Sequence, residues 1–205
     1  MTREGILSRV RAALGRPPGI APAPPPLYFS PAQRGSEERV AGFTSALEAL
    51  AGRVVHCPSR EAARDAVTAM IAGKSAVASR SSYLRELRLP VDVPDATAYR
   101  EACATAEFGI TSADYALADT GTLVMLSGAD ESRLVSLLPP KHIAVVPVSR
   151  LIDSLDQLLQ RLPRPAAQTS SMVLITGPSR TADIEQILVR GVHGPGEITV
   201  ILVAD

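Results

Sequence analysis

Short apolar segments alternate with helix-forming segments along most of this chain, and this alternation constrains its fold more than any other feature. The apolar segments are rich in Val, Ile and Leu, which is typical of buried strands. They occur at Arg53–Cys57, Ser75–Ser79, Leu89–Val93, Thr122–Leu126, Ile143–Val148, Met172–Thr176 and Ile198–Val203.

The spacing of apolar residues between these strands predicts helices. The helices cover Glu37–Leu50, Ser59–Ile71, Ser82–Leu87, Tyr99–Ala106, Glu131–Leu138, Arg150–Arg161 and Thr181–Arg190. Strands that alternate with helices of about ten residues form mostly parallel sheets covered on both faces. The sequence therefore predicts an α/β fold, with a mostly parallel sheet flanked by helices.

The first 35 residues have a different character from the rest. Residues 1–16 (MTREGILSRVRAALGR) predict a short amphipathic helix, which docks either on the body of the protein or on a partner. Arg16–Pro31 is rich in proline and favours extended backbone, as a linker, a wrapping arm or a ligand for a proline-binding module. We therefore predict an N-terminal helix and arm over residues 1–35 and a single α/β domain over residues 36–205.

Composition argues against several classes of function. Lys and Arg together number 21, as do Asp and Glu, and aromatic residues make up 3% of the chain with no Trp, so neither nucleic acid nor an acidic membrane is an expected partner. No apolar segment approaches the roughly 20 residues that span a bilayer, and the N-terminus lacks the apolar core of a secretory signal. We expect a cytoplasmic protein without a membrane span.

The two cysteines, Cys57 and Cys103, lie far apart in the sequence and form no C-x-x-C motif. This spacing argues against a disulfide framework, a cysteine zinc site or an iron–sulfur cluster held by this chain alone. We predict that both are small buried hydrophobic residues.

The first candidate site is the loop Gly177-Pro178-Ser179, between a predicted strand and the helix predicted from Thr181. A helix N-terminus attracts anions, and Arg180 would strengthen that attraction. However, two carboxylates in the first turns of this helix already supply negative charge, and Ser179 or Thr181 could simply cap it. These carboxylates are Asp183 and Glu185. No P-loop or dinucleotide-binding motif occurs.

The second candidate site is Asp119-Thr120-Gly121-Thr122, at the start of a predicted strand. A carboxylate and two hydroxyls beside a glycine turn offer donors and acceptors to a ligand, but an ordinary Asx turn explains Asp119 and Gly121 equally well. Ligands of parallel sheets bind beyond the strand ends, so this loop and the Gly177–Arg180 loop are candidates to converge. Asp114 either shares the site or is solvated.

Two histidines complete the candidate set. His142 follows Pro139-Pro140-Lys141 at the start of a strand, where it either takes part in acid–base or carboxylate-binding chemistry or is packed or capping. His193 lies between glycines in Gly191-Val-His-Gly-Pro-Gly196, where it either serves as an acid–base group or only hydrogen-bonds the loop. A triad of Ser179, His193 and Asp183 lacks the G-x-S-x-G elbow, and the spacing of His56, His142 and His193 does not indicate a metal site.

Together these motifs resemble the LUD-domain family, specifically its lactate utilisation protein C group. The resemblance extends from about Glu37 to the C-terminus, with Ala118–Leu123, Ser136–His142 and the tail motifs in the family's order. It implies a fold like that of the NagB/RpiA/CoA-transferase group and a role in oxidising L-lactate to pyruvate within a three-protein system. The other proteins of that system resemble cysteine-rich iron–sulfur proteins, so the resemblance implies iron–sulfur clusters in partners and no cofactor in this chain.

On this resemblance the chain is a non-redox component that binds a small carboxylate or organises iron–sulfur partner subunits. The motif positions carried over as ligand-binding candidates are Asp119, Thr120, Gly121, Thr122, His142, Gly177, Ser179, Arg180, Thr181, Asp183, Glu185 and His193. Two alternatives remain open. One is a stand-alone enzyme acting on a small phosphorylated sugar or acyl-CoA, and the other is a pure interaction module that docks through its N-terminal segments.

Overall fold

The computed structural model describes residues 2–15, 33–91, 93–95, 97–128, 132–182 and 188–204. The predicted Pro-rich arm, Arg16–Pro31, lies outside the described residues. The chain divides into two compact units, Met1–Ser30 and Pro31–Asp205.

The first unit contains helix α1, Arg3–Ala13, as the apolar spacing predicted. The Thr2 hydroxyl accepts a hydrogen bond from the Gly5 N–H at 3.3 Å and so caps the start of this helix. No residue of α1 is buried.

The second unit contains helices and strands that alternate along the chain. Its helices are α2 (Ser36–Ala49), α3 (Arg60–Ile71), α4 (Ser82–Leu87), α5 (Tyr99–Thr105), α6 (Arg133–Leu137), α7 (Leu155–Arg161) and α8 (Pro165–Gln168), with a 3-10 turn at Val148–Arg150. Its strands are β1 (Arg53–Cys57), β2 (Ala76–Ala78), β3 (Phe108–Ser112), β4 (Tyr115–Leu117), β5 (Thr122–Leu126), β6 (Lys141–Pro147), β7 (Leu151–Ile152), β8 (Met172–Ile175), β9 (Arg180–Ala182), β10 (Leu188–Arg190) and β11 (Glu197–Val203).

A five-stranded sheet in the order β1-β11-β6-β3-β2 forms the centre of this unit, and all its neighbouring strands are parallel. Helices α3 and α4 cover one face, where Val67 and Leu84 pack against Ile143 and Ile201. The predicted α/β fold with a mostly parallel sheet flanked by helices is therefore confirmed.

A second sheet, which the sequence did not predict, lies on the other face. It has the order β7-β4-β5-β8, and β5 is antiparallel to both of its neighbours. Phe43 and Leu47 of α2 and Leu123 of β5 share one core cluster with Val146 and Val200 of the parallel sheet. One core cluster therefore lies between the two sheets and α2, and another lies between the parallel sheet and helices α3 and α4.

Three predicted elements are wrong. The described residues of Leu89–Val93 form no strand, because Pro90 lacks an N–H for a sheet and Val91 N–H instead bonds back to the Leu89 carbonyl at 2.9 Å. The helix predicted over Arg150–Arg161 starts only at Leu155, after strand β7 and a cap by Ser154. The helix predicted over Thr181–Arg190 is replaced at both ends by antiparallel strands β9 and β10.

Strand β3 was missed by the sequence reasoning although all five of its residues are buried. Cys57 and Cys103 are free and buried, as predicted, and burial raises the pKa of both thiols.

Candidate functional site

Threonine hydroxyls connect the turn before β5 to the loop after β8. Thr120 Oγ1 lies 2.7 Å from Thr122 Oγ1, which in turn lies 2.9 Å from Thr176 Oγ1. Thr120 also donates to the Asp119 carboxylate at 3.3 Å. The second candidate motif and the start of the tail motif, which the sequence made candidates to converge, therefore meet.

Both loops approach the C-terminal end of α2 so closely that glycine is required. Gly121 and Gly177 have φ values of +64° and +82°, which side chains rarely tolerate. A Cβ atom on Gly121 would lie 2.5 Å from the Leu47 nitrogen, and one on Gly177 would lie 3.0 Å from Leu50 Cβ. These two glycines therefore shape the packing of the loops on α2.

Arg180 donates from its guanidinium to the carbonyl oxygen of Leu50, at the end of α2. A cation at a helix C-terminus satisfies a free carbonyl and complements the helix dipole. Since Arg180–Ala182 is a strand, the loop at Gly177 does not lead into the helix N-terminus that was a candidate anion site. Thr181 lies in this strand, and Asp183 and Glu185 lie outside the described residues.

Backbone hydrogen bonds join the tail loop to the glycine-rich turn before β11. Ser179 N–H donates to the Pro195 carbonyl at 2.8 Å, and Gly191 N–H donates to the Ser179 carbonyl at 3.1 Å. Gly196 N–H donates to the Pro140 carbonyl at 2.9 Å, which connects this turn to the segment before β6. Three of the predicted motif loops and Pro140 are thus connected by hydrogen bonds and packing. We call this set the motif row; it comprises Asp119–Thr122, Thr176–Arg180, Gly191–Gly196 and Pro140.

His142 points into the core rather than into a cleft, with 1% of its surface exposed. Its Nε2 lies 2.7 Å from Thr111 Oγ1, while its Nδ1 has no hydrogen-bond partner. Burial lowers the pKa of His142 to about 4, because the apolar surroundings disfavour the charged ring. The side chain is therefore a neutral, buried group.

The remaining polar members of the motif row differ in exposure. Asp119 and His193 are exposed and Ser179 is half-buried. Since His142 is buried, the structure does not bring Asp119, His142, Ser179 and His193 together in one open cleft. No hydrogen bond joins Ser179 to His193 among the described residues, and the role of the motif residues as ligands stays a prediction.

A separate polar pocket, which the sequence reasoning missed, lies at the carboxyl ends of the parallel strands. It has a volume of about 280 Å³ and its lining includes Arg60, Glu86 and Arg150. Arg60 is the first residue of α3, after β1, whereas Arg150 ends the 3-10 turn after β6. The pocket could have been found from the rule that ligands of parallel sheets bind beyond the carboxyl ends of the strands. The sequence reasoning applied this rule to other loops and placed Arg150 at the start of a helix.

Two hydrogen bonds fix the position of the Arg150 guanidinium. Its Nη1 donates to Ser112 Oγ, at the end of β3, at 2.9 Å and to the carbonyl of Ala113, the next residue. Nearby, burial raises the pKa of Asp114, although the hydrogen bond of 2.7 Å from Leu126 N–H and the charge of Arg150 act in the opposite direction.

Two further observations concern the described residues only. None of their His, Cys, Asp and Glu side chains form a group of three or more that could hold a metal ion. None of the helices among them is both long and apolar enough to cross a membrane.

Comparison with known proteins gives a consistent result. A family model described as the LUD domain matches residues 40–203. A protein of Halalkalibacterium halodurans named lactate utilization protein C is 47% identical over 104 residues, which is 49% of this chain and 45% of that protein. Proteins of the same name from Anoxybacillus flavithermus and Bacillus subtilis are 41% identical over 128 residues and 44% identical over 104 residues.

These matches cover 61% and 49% of this chain, and 57% and 43% of the Anoxybacillus and Bacillus proteins. The chain thus matches about half the length of these curated relatives. Among solved structures, a DUF162 family protein from Deinococcus radiodurans is similar in fold, with a TM-score of 0.62 and 17% identity. That similarity covers 83% of this chain and 99% of the other chain.

Proposed function

This chain belongs to the LUD domain family, and from that membership we propose that it is a non-redox component of a system that oxidises L-lactate to pyruvate. The observation that carries the proposal is the match to three proteins named lactate utilization protein C at 41–47% identity. The family match spans the motif row as well as the parallel sheet, so it includes every described motif loop.

The non-redox character is supported by the placement of the two cysteines. Cys57, at the end of β1, packs in a core cluster with residues of α3, whereas Cys103, in α5, packs in a different cluster. An iron–sulfur cluster is usually held by four thiolates, whereas this sequence has two, and they are buried in separate places. We therefore propose that the electrons of lactate pass to iron–sulfur partner proteins and not through this chain.

Within such a system, the chain either binds a small carboxylate or organises the iron–sulfur partners. The alternative of an enzyme for phosphorylated sugars or acyl-CoA relied partly on an anion-binding helix after Gly177. That support is lost, since the residues after the loop form strand β9.

A growth experiment tests the proposal. We expect a strain in which the gene is deleted to grow on pyruvate but not on L-lactate as the sole carbon source, and growth on lactate to return when the gene is restored. Normal growth of the deletion strain on L-lactate would contradict a role in lactate utilisation.

An affinity purification from lactate-grown cells tests the partners. A tagged chain that organises a complex should recover iron-containing proteins, as measured by bound iron and acid-labile sulfide. An untagged strain provides the control. Recovery of the chain alone, with no iron, would argue against the organising role.

A further inference from the structure

In the pocket at the carboxyl ends of the parallel strands, two arginines lie against the same aromatic ring. The Arg60 and Arg150 guanidinium carbons lie 5.2 Å and 5.4 Å from the centre of the Tyr83 ring. Both are close enough for a cation–π interaction, which holds a guanidinium in place without using its N–H groups. The ring therefore positions two cations at the same small pocket.

Each of these arginines keeps N–H donors that the described residues do not use. Arg60 pairs through Nη1 with Glu86, and Arg150 donates through Nη1 to Ser112 and Ala113. A guanidinium has five N–H donors, and among the described residues neither Nε nor Nη2 of either arginine has a partner. Such forked donors match the two oxygens of a carboxylate.

We propose that this pocket, which we call the arginine pocket, binds a small 2-hydroxy or 2-oxo monocarboxylate. Among the described residues its charged lining consists of Arg60, Arg150 and Glu86, so its net charge of about +1 neutralises a bound monoanion, whereas a phosphate dianion would keep an uncompensated negative charge in the pocket. Among the described residues no carboxylate lies within ion-pair distance of Arg150, although Asp114 is near enough to interact with it electrostatically.

Size and the remaining lining agree with this ligand class. The volume of about 280 Å³ is at or below the range of roughly 300–1,000 Å³ that is typical of pockets for drug-sized ligands. Ser82 brings a hydroxyl group to the lining, which suits the oxygen on the second carbon of such an acid.

The start of α3 does not supply the anion site by itself. Its Ser59 hydroxyl already accepts from Ala62 N–H at 3.3 Å, and the Glu61 carboxylate, whose pKa is lowered by a hydrogen bond from its own backbone N–H and by Ser59, adds negative charge there. Attraction for an anion therefore comes from the two arginines.

The choice of lactate and pyruvate as ligands rests on the function proposed above, whereas the anion pocket itself rests on the geometry alone. Isothermal titration calorimetry of the full chain with L-lactate, pyruvate and inorganic phosphate at low ionic strength tests both. We expect the two monocarboxylates to bind more tightly than phosphate.

Two arginine variants test the location. Arg60→Met and Arg150→Met should each weaken lactate binding by roughly ten- to a hundredfold, as loss of a charge-assisted hydrogen bond implies. Arg64→Met, on the exposed side of the same helix α3, is the matched control and should leave binding unchanged. Since Arg150 also supports the end of β3, circular dichroism should confirm that the Arg150→Met variant is folded. If that variant does not fold, Arg60→Met alone tests the location, because the Arg60 side chain is about half exposed.

Replacing Glu86, the negatively charged residue of the lining, tests whether the net charge of the pocket selects the ligand. Glu86→Gln raises the net charge of the arginine pocket to about +2, so phosphate should gain affinity relative to lactate, by roughly tenfold or more. An unchanged preference would contradict the proposed selection of a monoanion by charge.

The remaining outcomes separate this inference from the proposed function. Lactate binding that survives both Arg60→Met and Arg150→Met overturns the location, and tighter binding of phosphate by the unmodified chain overturns the ligand class. Failure of the unmodified chain to bind any of the monocarboxylates overturns the inference, while the growth and affinity experiments decide the role in lactate utilisation independently.

Discussion

At the scale of single residues, His142 shows how a motif residue can be important without touching a ligand. The histidine lies in the central strand β6 and is buried, and Thr111 is its only hydrogen-bond partner among the described residues. A buried imidazole without a second partner is kept neutral, because charging it would require an ion in an apolar environment. Its contribution is to stability, and that contribution depends on pH.

We predict that the protein loses stability below neutral pH through His142. The pKa is lowered from 6.5 to about 4 in the folded state, so the unfolded chain binds more protons between these values and stability falls as pH decreases through them. From pH 7 to pH 5 the loss amounts to about 2 kcal/mol. Urea unfolding at both pH values should show this loss in the unmodified protein and a smaller one in His142→Gln.

The exposed His193 provides the control for this prediction. His193→Gln should keep the full pH dependence of the unmodified protein. Equal pH dependence in all three proteins would show that His142 is not the group responsible.

At the scale of elements, the sequence predicted the parallel sheet well and its surroundings less well. Strands such as Ile143–Val148 are recognisable because they are buried on both faces and therefore continuously apolar. Strand β3 is buried too, but it contains Gly109, Thr111 and Ser112. Gly109 is explained only by the tertiary structure, since a Cβ there would lie 1.9 Å from the Val135 carbonyl oxygen.

The tail was misinterpreted for a related reason. Asp183 and Glu185 after Thr181 imitate the acidic first turn of a helix, yet Arg180–Ala182 pairs with Leu188–Arg190 as a strand. Such pairing depends on hydrogen bonds between two segments of the chain, here six to ten residues apart, and the residue types of one segment do not contain them. The same limit applies to the arginine pocket, because Arg60 and Arg150 meet only when β1 and β6 enter the same sheet.

The packing of the Asp119–Thr122 turn on α2 leads to a prediction about elements. Gly121→Ala should destabilise the protein by about 2 kcal/mol or more, because the residue has a positive φ and the new methyl group would collide with the backbone of Leu47. Thermal and urea unfolding measure the effect.

Gly128→Ala is the matched control for this substitution. Gly128 is exposed, and a Cβ there would meet nothing within 4 Å. Its replacement should therefore change the free energy of unfolding by less than about 1 kcal/mol. Similar effects of both substitutions would mean that the close approach of the turn to α2 does not matter for stability.

At the scale of the second unit as a whole, the glycine-rich turn lies at the amino ends of the parallel strands and the arginine pocket lies at their carboxyl ends. The turn Gly191–Gly196 precedes β11, whereas Arg60 and Arg150 follow β1 and β6. The seven residues of β11 span about 23 Å between these two ends of the sheet. Exposed His193 is therefore too far from the arginine pocket to contact a small ligand bound there.

This separation predicts that ligand stabilisation and the His193 turn are independent. Lactate at a hundred times its dissociation constant should stabilise the folded state by about 2.7 kcal/mol, which raises the melting temperature of a domain of this size by about 5–10 °C. Differential scanning calorimetry should show the same increase in His193→Ala, and little increase in Arg60→Met at the same lactate concentration. Loss of the increase in His193→Ala, with retention in Arg60→Met, would place the carboxylate at the glycine-rich turn instead, because only a group close to the ligand can couple so strongly to its binding.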